Sequence, residues 1–290
     1  MLLDLIRTMR PGQWTKNLLL FAGIIFAQHL LEPRALLTVV SGFLLFCLLS
    51  SSIYILNDVC DAEQDRRHPL KRMRPIAAGR IGRGTALSLA LTLASISIIL
   101  SFVLNRGFGG VALAYFALIL LYSVWLKHVV ILDVLVISGG FVLRAVAGAV
   151  VIGVAISSWL LICTILLALF LALSKRRHEL VLLEAEAGDH RRILEEYSPH
   201  LLDQMIAVVT SSTVIAYALY TVSEETVKKF GTKNLQLTIP FVLYGIFRYL
   251  YLIHRKNEGG RPEQTLLTDK PLMADIALWA GTAFCILYLL

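Results

Sequence analysis

The chain has 290 residues, of which 57% are hydrophobic and only 16% are charged, and its formal net charge is +7. Soluble domains carry about 25% charged residues, whereas apolar runs of about 20 residues, long enough to span a bilayer, recur along this sequence. The composition therefore excludes an ordinary soluble protein and predicts an all-α, polytopic membrane bundle. No low-complexity segment or long linker divides the chain, so we expect residues 1–290 to form a single integral-membrane domain.

The hydropathy pattern predicts nine helices. We place them at residues 17–32, 36–56, 85–104, 109–127, 129–152, 156–174, 204–222, 236–254 and 271–290. The first is the shortest, and it is compatible with a segment that lies partly at the membrane interface. Between the sixth and seventh, residues 178–203 are predicted to form a helical segment that breaks near Gly188.

Lysine and arginine are distributed unevenly between the predicted connections. If the N-terminus is cytosolic, 20 of the 27 lie in cytosolic segments and 5 in outer segments. The positive-inside rule expects this asymmetry, so we predict a multi-pass membrane protein with a cytosolic N-terminus and cytosolic polar loops. Topology explains most of the positive charge, which therefore does not indicate a nucleic-acid partner.

A polar, highly charged segment, residues 57–79, follows the second predicted helix. Asn57, Asp61 and Asp65 recur at four-residue spacing, so on a continuing helix they share one face, with Asp58 beside them. Clustered carboxylates repel one another unless they share a cation, and Mg²⁺ takes oxygen ligands and completes its shell with water and phosphates. These four residues are the predicted metal ligands. The alternative is a solvated start of a loop.

Basic side chains follow the acidic ones in the same segment, and such side chains suit phosphate oxygens. Two prolines would fix the loop around them. The predicted phosphate ligands here are Arg66, Lys71, Arg72 and Arg74. Positive-inside topology alone is the alternative explanation, and the same two interpretations apply to Lys16, just before the first helix.

Tyr122, Lys127 and Asp133 frame a short predicted turn, and Asp133 lies about one turn inside its helix. An acid within a membrane is costly and is functional by default, so we assign Asp133 to a metal or phosphate site, with Tyr122 and Lys127 as substrate ligands. Arg144 follows by eleven residues, on the same face and about 16 Å deeper. It is predicted as a further substrate ligand that lines the floor of a cavity, and the alternative is a structural donor to backbone carbonyls.

Three consecutive cations, Lys175, Arg176 and Arg177, end the sixth predicted helix. They are candidate phosphate ligands, although cations are also favoured at helix C-termini for electrostatic reasons. The sequence contains no G-x-S-x-G, H-E-x-x-H or Walker pattern. The pattern therefore predicts metal-assisted departure of a diphosphate instead of hydrolysis by a nucleophile.

The stretch NDVCDAEQD at 57–65 resembles the N-D-x-x-D-x-x-x-D signature of the UbiA superfamily of intramembrane prenyltransferases. The resemblance implies a bundle of about nine helices, with Mg²⁺ held by the signature. The aromatic prenyltransferases of that family carry a second motif, D-x-x-x-D, after the fourth helix. Here that place reads YSVWLKHVVILDV, with Lys127 and the single acid Asp133. This departure disfavours a prenyl diphosphate as the donor.

Further segments are similar to the decaprenyl-phosphate phosphoribosyltransferase branch of that superfamily. They are RPGQWTKN, DRRHPLKRMRPIAAG, GGFVLRAVAGA, SKRRHEL and YGIFRYLYLIHRK. The branch implies Mg²⁺-dependent transfer of 5-phosphoribose from phosphoribosyl diphosphate to a polyprenyl phosphate, for precursors of cell-wall arabinan. One acidic cluster with many cations suits a donor that bears both a diphosphate and a 5-phosphate.

The implied catalytic acids are Asp58, Asp61, Asp65 and Asp133. Three alternatives stay open: prenyl transfer to an aromatic or other acceptor, a non-catalytic lipid-binding protein, and a transporter. The sequence also leaves the oligomeric state open, a homo-oligomer included.

Overall fold

The computed structural model describes residues 2–67, 71–185, 194, 196–256, 260 and 262–289. These residues form α-helices, short 3-10 helices and connections, and no strand occurs among them. The α-helices are α1 (Leu2–Met9), α2 (Phe21–Phe26), α3 (Pro33–Cys60), α4 (Ala62–Arg67), α5 (Arg83–Leu104), α6 (Arg106–Val124), α7 (Leu132–Val151), α8 (Ser158–Ala185), α9 (Pro199–Val222), α10 (Glu224–Phe230), α11 (Ile239–Arg255), α12 (Pro262–Thr268) and α13 (Lys270–Tyr288). The 3-10 helices are Pro11–Leu20, Lys71–Met73, Leu126–His128 and Asn234–Thr238.

Within the described residues, eight helical segments are long and apolar enough to cross a membrane. They correspond to the second through ninth predicted helices, so the prediction of a polytopic helical protein is confirmed. The first predicted helix differs. Its region forms a ten-residue 3-10 helix followed by the six-residue α2, instead of one continuous α-helix. The predicted break near Gly188 lies outside the described residues.

One compact unit comprises the chain up to Trp125 together with Leu143–Ala155. Its larger core surrounds Leu20, Phe46 and Phe108, which are fully buried. A smaller cluster contains Ile55 of α3, Ala62 of α4, Ile76 and the start of α5. This smaller cluster packs α4 and the connection after it against the end of α3, which places the acidic segment on a fixed support.

Backbone contacts hold the 3-10 helix Pro11–Leu20 and α2 against the end of α7. A methyl group added at Gly148 would lie 1.8 Å from the carbonyl oxygen of Leu20, and one added at Gly23 would lie 2.8 Å from the backbone nitrogen of Ala149. Small residues permit such close approach between helices in membranes. The conformation of residues 11–26 is therefore set by tertiary packing as well as by the local apolar run.

The second compact unit comprises Leu126–Val142 and the chain from Ile156 onward. Its core joins α7, α8, α9 and α11 through side chains that include Val134, Phe170, Leu202 and Leu252. Tyr197 belongs to the same core, and its hydroxyl donates to Asp133, so this carboxylate lies at the edge of the core. That residues 1–290 act as one domain stays a prediction.

Candidate active site

The acidic residues lie on nearly continuous helix, as their four-residue spacing predicts. Asn57 and Asp58 lie in the last turn of α3, Asp61 follows its last residue, and Asp65 lies in α4. The backbone amide of Asp61 donates to the carbonyl oxygen of Asn57 at 2.8 Å. The backbone amide of Asp65 donates to the carbonyl oxygen of Asp61 at the same distance. Asp58 and Asp65 are only 3% and 4% exposed. Buried carboxylates require partners.

Two arginines supply those partners. Arg74 Nη1 donates to Asp58 Oδ1 at 3.1 Å and to Asp65 Oδ2 at 2.6 Å. Arg10 Nη2 donates to the same oxygen of Asp58, and its guanidinium lies over the ring of Tyr54, 5.2 Å from the centroid. Arg74 was predicted as a phosphate ligand. Arg10 was missed, because nothing in the sequence indicates a pairing over 48 residues.

The carboxylates of Asp58 and Asp65 suit a divalent cation. One oxygen of each carboxylate contacts the same nitrogen of Arg74. The two acids therefore already share a positively charged group. Mg²⁺ commonly needs only one or two protein carboxylates besides water and phosphate. Among the residues that the structure describes, no three His, Cys, Asp or Glu side chains are gathered as a metal site. The four-residue ligand set stays a prediction.

The other predicted phosphate ligands of this unit have varied surroundings. Arg66 Nε donates to the carbonyl of Ala77 at 3.1 Å, which ties α4 to the loop that follows it. Lys71 is half-buried and Arg72 is exposed. Lys16 is half-buried on the 3-10 helix Pro11–Leu20. Their roles toward a substrate stay predictions.

Arg144 is buried inside the first unit. Its Nε donates to Asn17 Oδ1 at 2.8 Å, and its Nη2 donates to Tyr115 Oη at 2.7 Å. The side-chain nitrogen Nδ2 of Asn17 in turn donates to Ser50 Oγ at 3.2 Å. Arg144 thus connects the 3-10 helix to α3, α6 and α7 through side chains, whereas sequence reasoning offered backbone carbonyls or a cavity floor. Its assignment as a substrate ligand stays a prediction.

The second unit contains a buried polar cluster around Asp133, which is 0% exposed. Arg176 Nε donates to Asp133 Oδ2 at 2.7 Å, and Tyr197 Oη donates to Asp133 Oδ1 at 2.8 Å. Arg176 Nη1 also donates to Glu179 Oε2 at 2.6 Å. Sequence reasoning missed Tyr197, because 64 residues separate it from Asp133.

Tyr197 is both a donor and an acceptor in this cluster. Its oxygen accepts a hydrogen bond from the amide of Ile131 at 2.7 Å while its proton goes to Asp133. Burial raises the pKa of Tyr197 to about 12, so the hydroxyl keeps its proton throughout the neutral range. The phenol therefore acts as a fixed hydrogen-bonding group in this position.

The other cations predicted as phosphate ligands in the second unit have different surroundings. Arg177 Nε donates to Asp203 Oδ1 of α9 at 2.5 Å. Lys175 is exposed, 4.0 Å from a Glu179 oxygen, and Lys127 is half-buried in the 3-10 helix Leu126–His128. Tyr122, in the first unit, is half-buried in the last turn of α6.

Comparison with known proteins decides the family. Residues 18–267 match the model of the UbiA prenyltransferase family. The chain belongs to that family. The decaprenyl-phosphate phosphoribosyltransferase of Corynebacterium glutamicum is 36% identical, over 97% of this chain and 85% of its own. The protein of the same name from Mycolicibacterium smegmatis is 35% identical, over 98% and 92%.

A solved UbiA homologue from Archaeoglobus fulgidus, bound to GPP and Mg²⁺, has the same fold. Its TM-score is 0.75 at 18% sequence identity, covering 98% of this chain and 99% of the other. At this identity the likeness concerns the fold alone. The sequence-based prediction of an all-α, UbiA-like membrane protein is thus confirmed by two independent comparisons.

Proposed function

We propose that this UbiA-family protein transfers 5-phosphoribose from phosphoribosyl diphosphate to a polyprenyl phosphate such as decaprenyl phosphate, releasing diphosphate. The observation that carries the proposal is the similarity, over nearly the whole chain, to the two enzymes named for decaprenyl phosphate and phosphoribosyl transfer. The departure from the second D-x-x-x-D motif agrees with it. A single acid, Asp133, stands there, and it is covered by Arg176 and Tyr197.

The first unit offers the groups that such a donor requires. Asp58 and Asp65 would hold Mg²⁺, with Asp61 one turn away, and the guanidinium groups of Arg10 and Arg74 border the same carboxylates. Bound there, Mg²⁺ would neutralise charge on the departing diphosphate. Both arginines are half-buried, and guanidinium N–H groups that the carboxylates do not engage can bind phosphate oxygens.

The chain needs no strong general base for this reaction. The acceptor phosphate is already anionic at neutral pH, so its oxygen can attack C1 of the ribose from the face opposite the diphosphate. The task of the protein is then to hold donor and acceptor in line and to stabilise the leaving group. An arginine-rich border around two carboxylates is suited to that task.

We place the reaction at the cytosolic face of the bacterial inner membrane, with the product serving as a precursor of cell-wall arabinan. The support for the orientation is the distribution of lysine and arginine along the chain. In this orientation the end of α3, which bears the acidic segment, faces the compartment that contains the soluble donor. The polyprenyl acceptor would reach the site from the bilayer.

Purified protein offered two substrate pairs tests the proposal. One pair is phosphoribosyl diphosphate with decaprenyl phosphate, and the other is a prenyl diphosphate with an aromatic acid, each with Mg²⁺. We expect diphosphate release and a phosphoribosylated lipid, by mass spectrometry, from the first pair only, and we expect a chelator to abolish both. Prenylation of the aromatic acid would establish the alternative transferase, and no turnover of either pair would favour a binding protein.

A further inference from the structure

Both carboxylate oxygens of Asp133 accept hydrogen bonds inside the protein. One oxygen accepts from Arg176 and the other from Tyr197, at 2.7 and 2.8 Å, and the side chain has no solvent exposure. A metal or substrate ligand must present a lone pair to the site it serves. An acid that is covered on both oxygens instead resembles a buried group that orients its neighbours.

The turn beside Asp133 is strained. Ile131 has φ +70°, which is an outlier for a β-branched residue. The amide of Leu132 donates to the carbonyl of Val130 at 2.8 Å across it, the hydrogen bond of a γ-turn. With positive φ at its centre, this turn is the rare, strained form. Strained backbone persists only where surrounding interactions overdetermine it.

The hydroxyl of Tyr197 is the group that meets this turn. It accepts from the amide of Ile131 at 2.7 Å and donates to Asp133. Both hydrogen bonds join residues more than 60 positions apart in sequence. The same oxygen of Tyr197 thus fixes the strained residue and the acid two residues after it. Arg176 holds the second oxygen of that acid from α8. The turn is thus clamped from two directions.

We propose that Asp133 and Tyr197 are positioning residues. Together they hold the turn at Ile131, and through it the 3-10 helix Leu126–His128 that bears Lys127, in the shape that binds the donor. Arg176 is the counter-ion of Asp133 in this assignment, not a phosphate ligand. The kinetic part of this inference rests on the proposed function. The structural part, that Asp133 ligates no metal and that Tyr197 holds the turn, does not.

Metal affinity separates the two roles of Asp133. Mn²⁺ binding to the purified full chain, without substrates, is measured by electron paramagnetic resonance for the wild type, Asp133→Asn and Asp58→Asn. We expect Asp58→Asn to weaken Mn²⁺ binding at least tenfold and Asp133→Asn to leave it within twofold. A tenfold loss in folded Asp133→Asn would overturn the positioning role.

Glycine rescue tests the strained turn. We expect Tyr197→Phe to raise the KM for phosphoribosyl diphosphate about threefold to tenfold while Mn²⁺ affinity stays at the wild-type value. Adding Ile131→Gly should recover most of that loss, because glycine adopts positive φ without strain. If Tyr197 only stabilised the fold, adding Ile131→Gly would not restore the KM, because glycine further destabilises the backbone. Tyr244→Phe, an exposed tyrosine of α11 in the same unit, is the matched control.

Hydrogen exchange gives a readout that needs no turnover. Peptides covering residues 126–138 should exchange faster in Tyr197→Phe than in the wild type or Tyr244→Phe, and the added Ile131→Gly should slow them again. Unchanged exchange and unchanged KM in Tyr197→Phe, or no recovery in the double variant, would refute the inference. If the wild type does not turn over phosphoribosyl diphosphate, the proposed function fails, whereas the exchange and Mn²⁺ measurements still decide the positioning role.

Discussion

Arg74 bridges two buried carboxylates, which makes it a competitor of any cation that binds the same pair. Its Nη1 lies within hydrogen-bond distance of both Asp58 and Asp65. A guanidinium and a divalent ion cannot occupy one point between the two acids. Metal binding at that point would therefore displace Arg74 from at least one of them, and the displaced N–H groups would become available to phosphate oxygens.

Arg74→Gln should consequently tighten metal binding in the absence of the donor. Hydrogen bonds to charged groups contribute about 1.5–3 kcal/mol, and if half of that is regained we expect Mn²⁺ affinity, measured by isothermal titration, to rise roughly four- to twelvefold. Without metal, the same variant should unfold at lower temperature, because two buried acids lose a partner.

Arg83→Gln is the control for that comparison. It removes the same charge from the same unit, but its partner is the exposed Glu63, at 3.0 Å. It should change Mn²⁺ affinity less than twofold. Equal effects of the two substitutions would attribute the gain to net charge and contradict the competition.

Asp269 provides a stability contribution that depends on pH. It pairs with Arg248 through two hydrogen bonds of 3.1 and 2.8 Å, and it caps α13 by accepting from the amide of Leu272. The hydrogen bond from Arg248 holds the pKa of Asp269 below its usual value. A depressed folded-state pKa stabilises the protein above the unfolded-state pKa of about 3.9, and this contribution is lost as pH falls through the folded value.

Asp269→Asn should therefore lower the melting temperature at pH 7, and the difference from the wild type should shrink steadily below about pH 4. Asparagine is also a good N-cap, so the substitution mainly removes the charge. Glu224→Gln, in an exposed pair with Lys228, should have little effect at any pH. A difference between Asp269→Asn and the wild type that does not vary with pH would exclude the ion pair as its source.

At the scale of elements, the contact between Gly148 of α7 and the carbonyl of Leu20 gives a sharp test of packing. A methyl group at Gly148 would sit 1.8 Å from that oxygen, so Gly148→Ala must push two backbones apart. We expect a loss of about 1–3 kcal/mol of unfolding free energy, measured by denaturant titration in detergent. Gly110→Ala in α6, where nothing lies within 4 Å, should be neutral or should stabilise by up to about 1 kcal/mol. Similar results for both would contradict the close approach.

Run length was enough to predict eight of the elements, because a membrane-spanning helix satisfies its backbone within a single apolar segment. The segment before them could not be predicted in the same way. Its conformation depends on Arg10 with φ +53° and on the contact between Leu20 and Gly148, which is remote in sequence. The apolar run alone gives no indication of either feature.

In the candidate site, too, local features could be predicted from the sequence and long-range contacts could not. Four-residue spacing predicted the row of Asn57, Asp61 and Asp65, since that pattern is local to one helix. The partners of the acids are not local: Arg10 reaches Asp58 from 48 residues away and Tyr197 reaches Asp133 from 64. Sequence reasoning therefore pointed to the acids but not to the groups that neutralise them.

For the whole molecule, the orientation in the membrane can be tested with a residue inside the acidic segment. Cys60 is exposed and lies between Asp58 and Asp61, and the positive-inside rule puts this segment in the cytosol. In a variant that keeps Cys60 as its single cysteine, a membrane-impermeant maleimide should label inside-out vesicles and leave intact cells unlabelled. Arg34→Cys in the cysteine-free background, an exposed position at the opposite end of α3, should show the reverse pattern. Labelling of Cys60 in intact cells would place the acids outside, away from a cytosolic phosphorylated donor, and would contradict both the orientation and the proposed substrate.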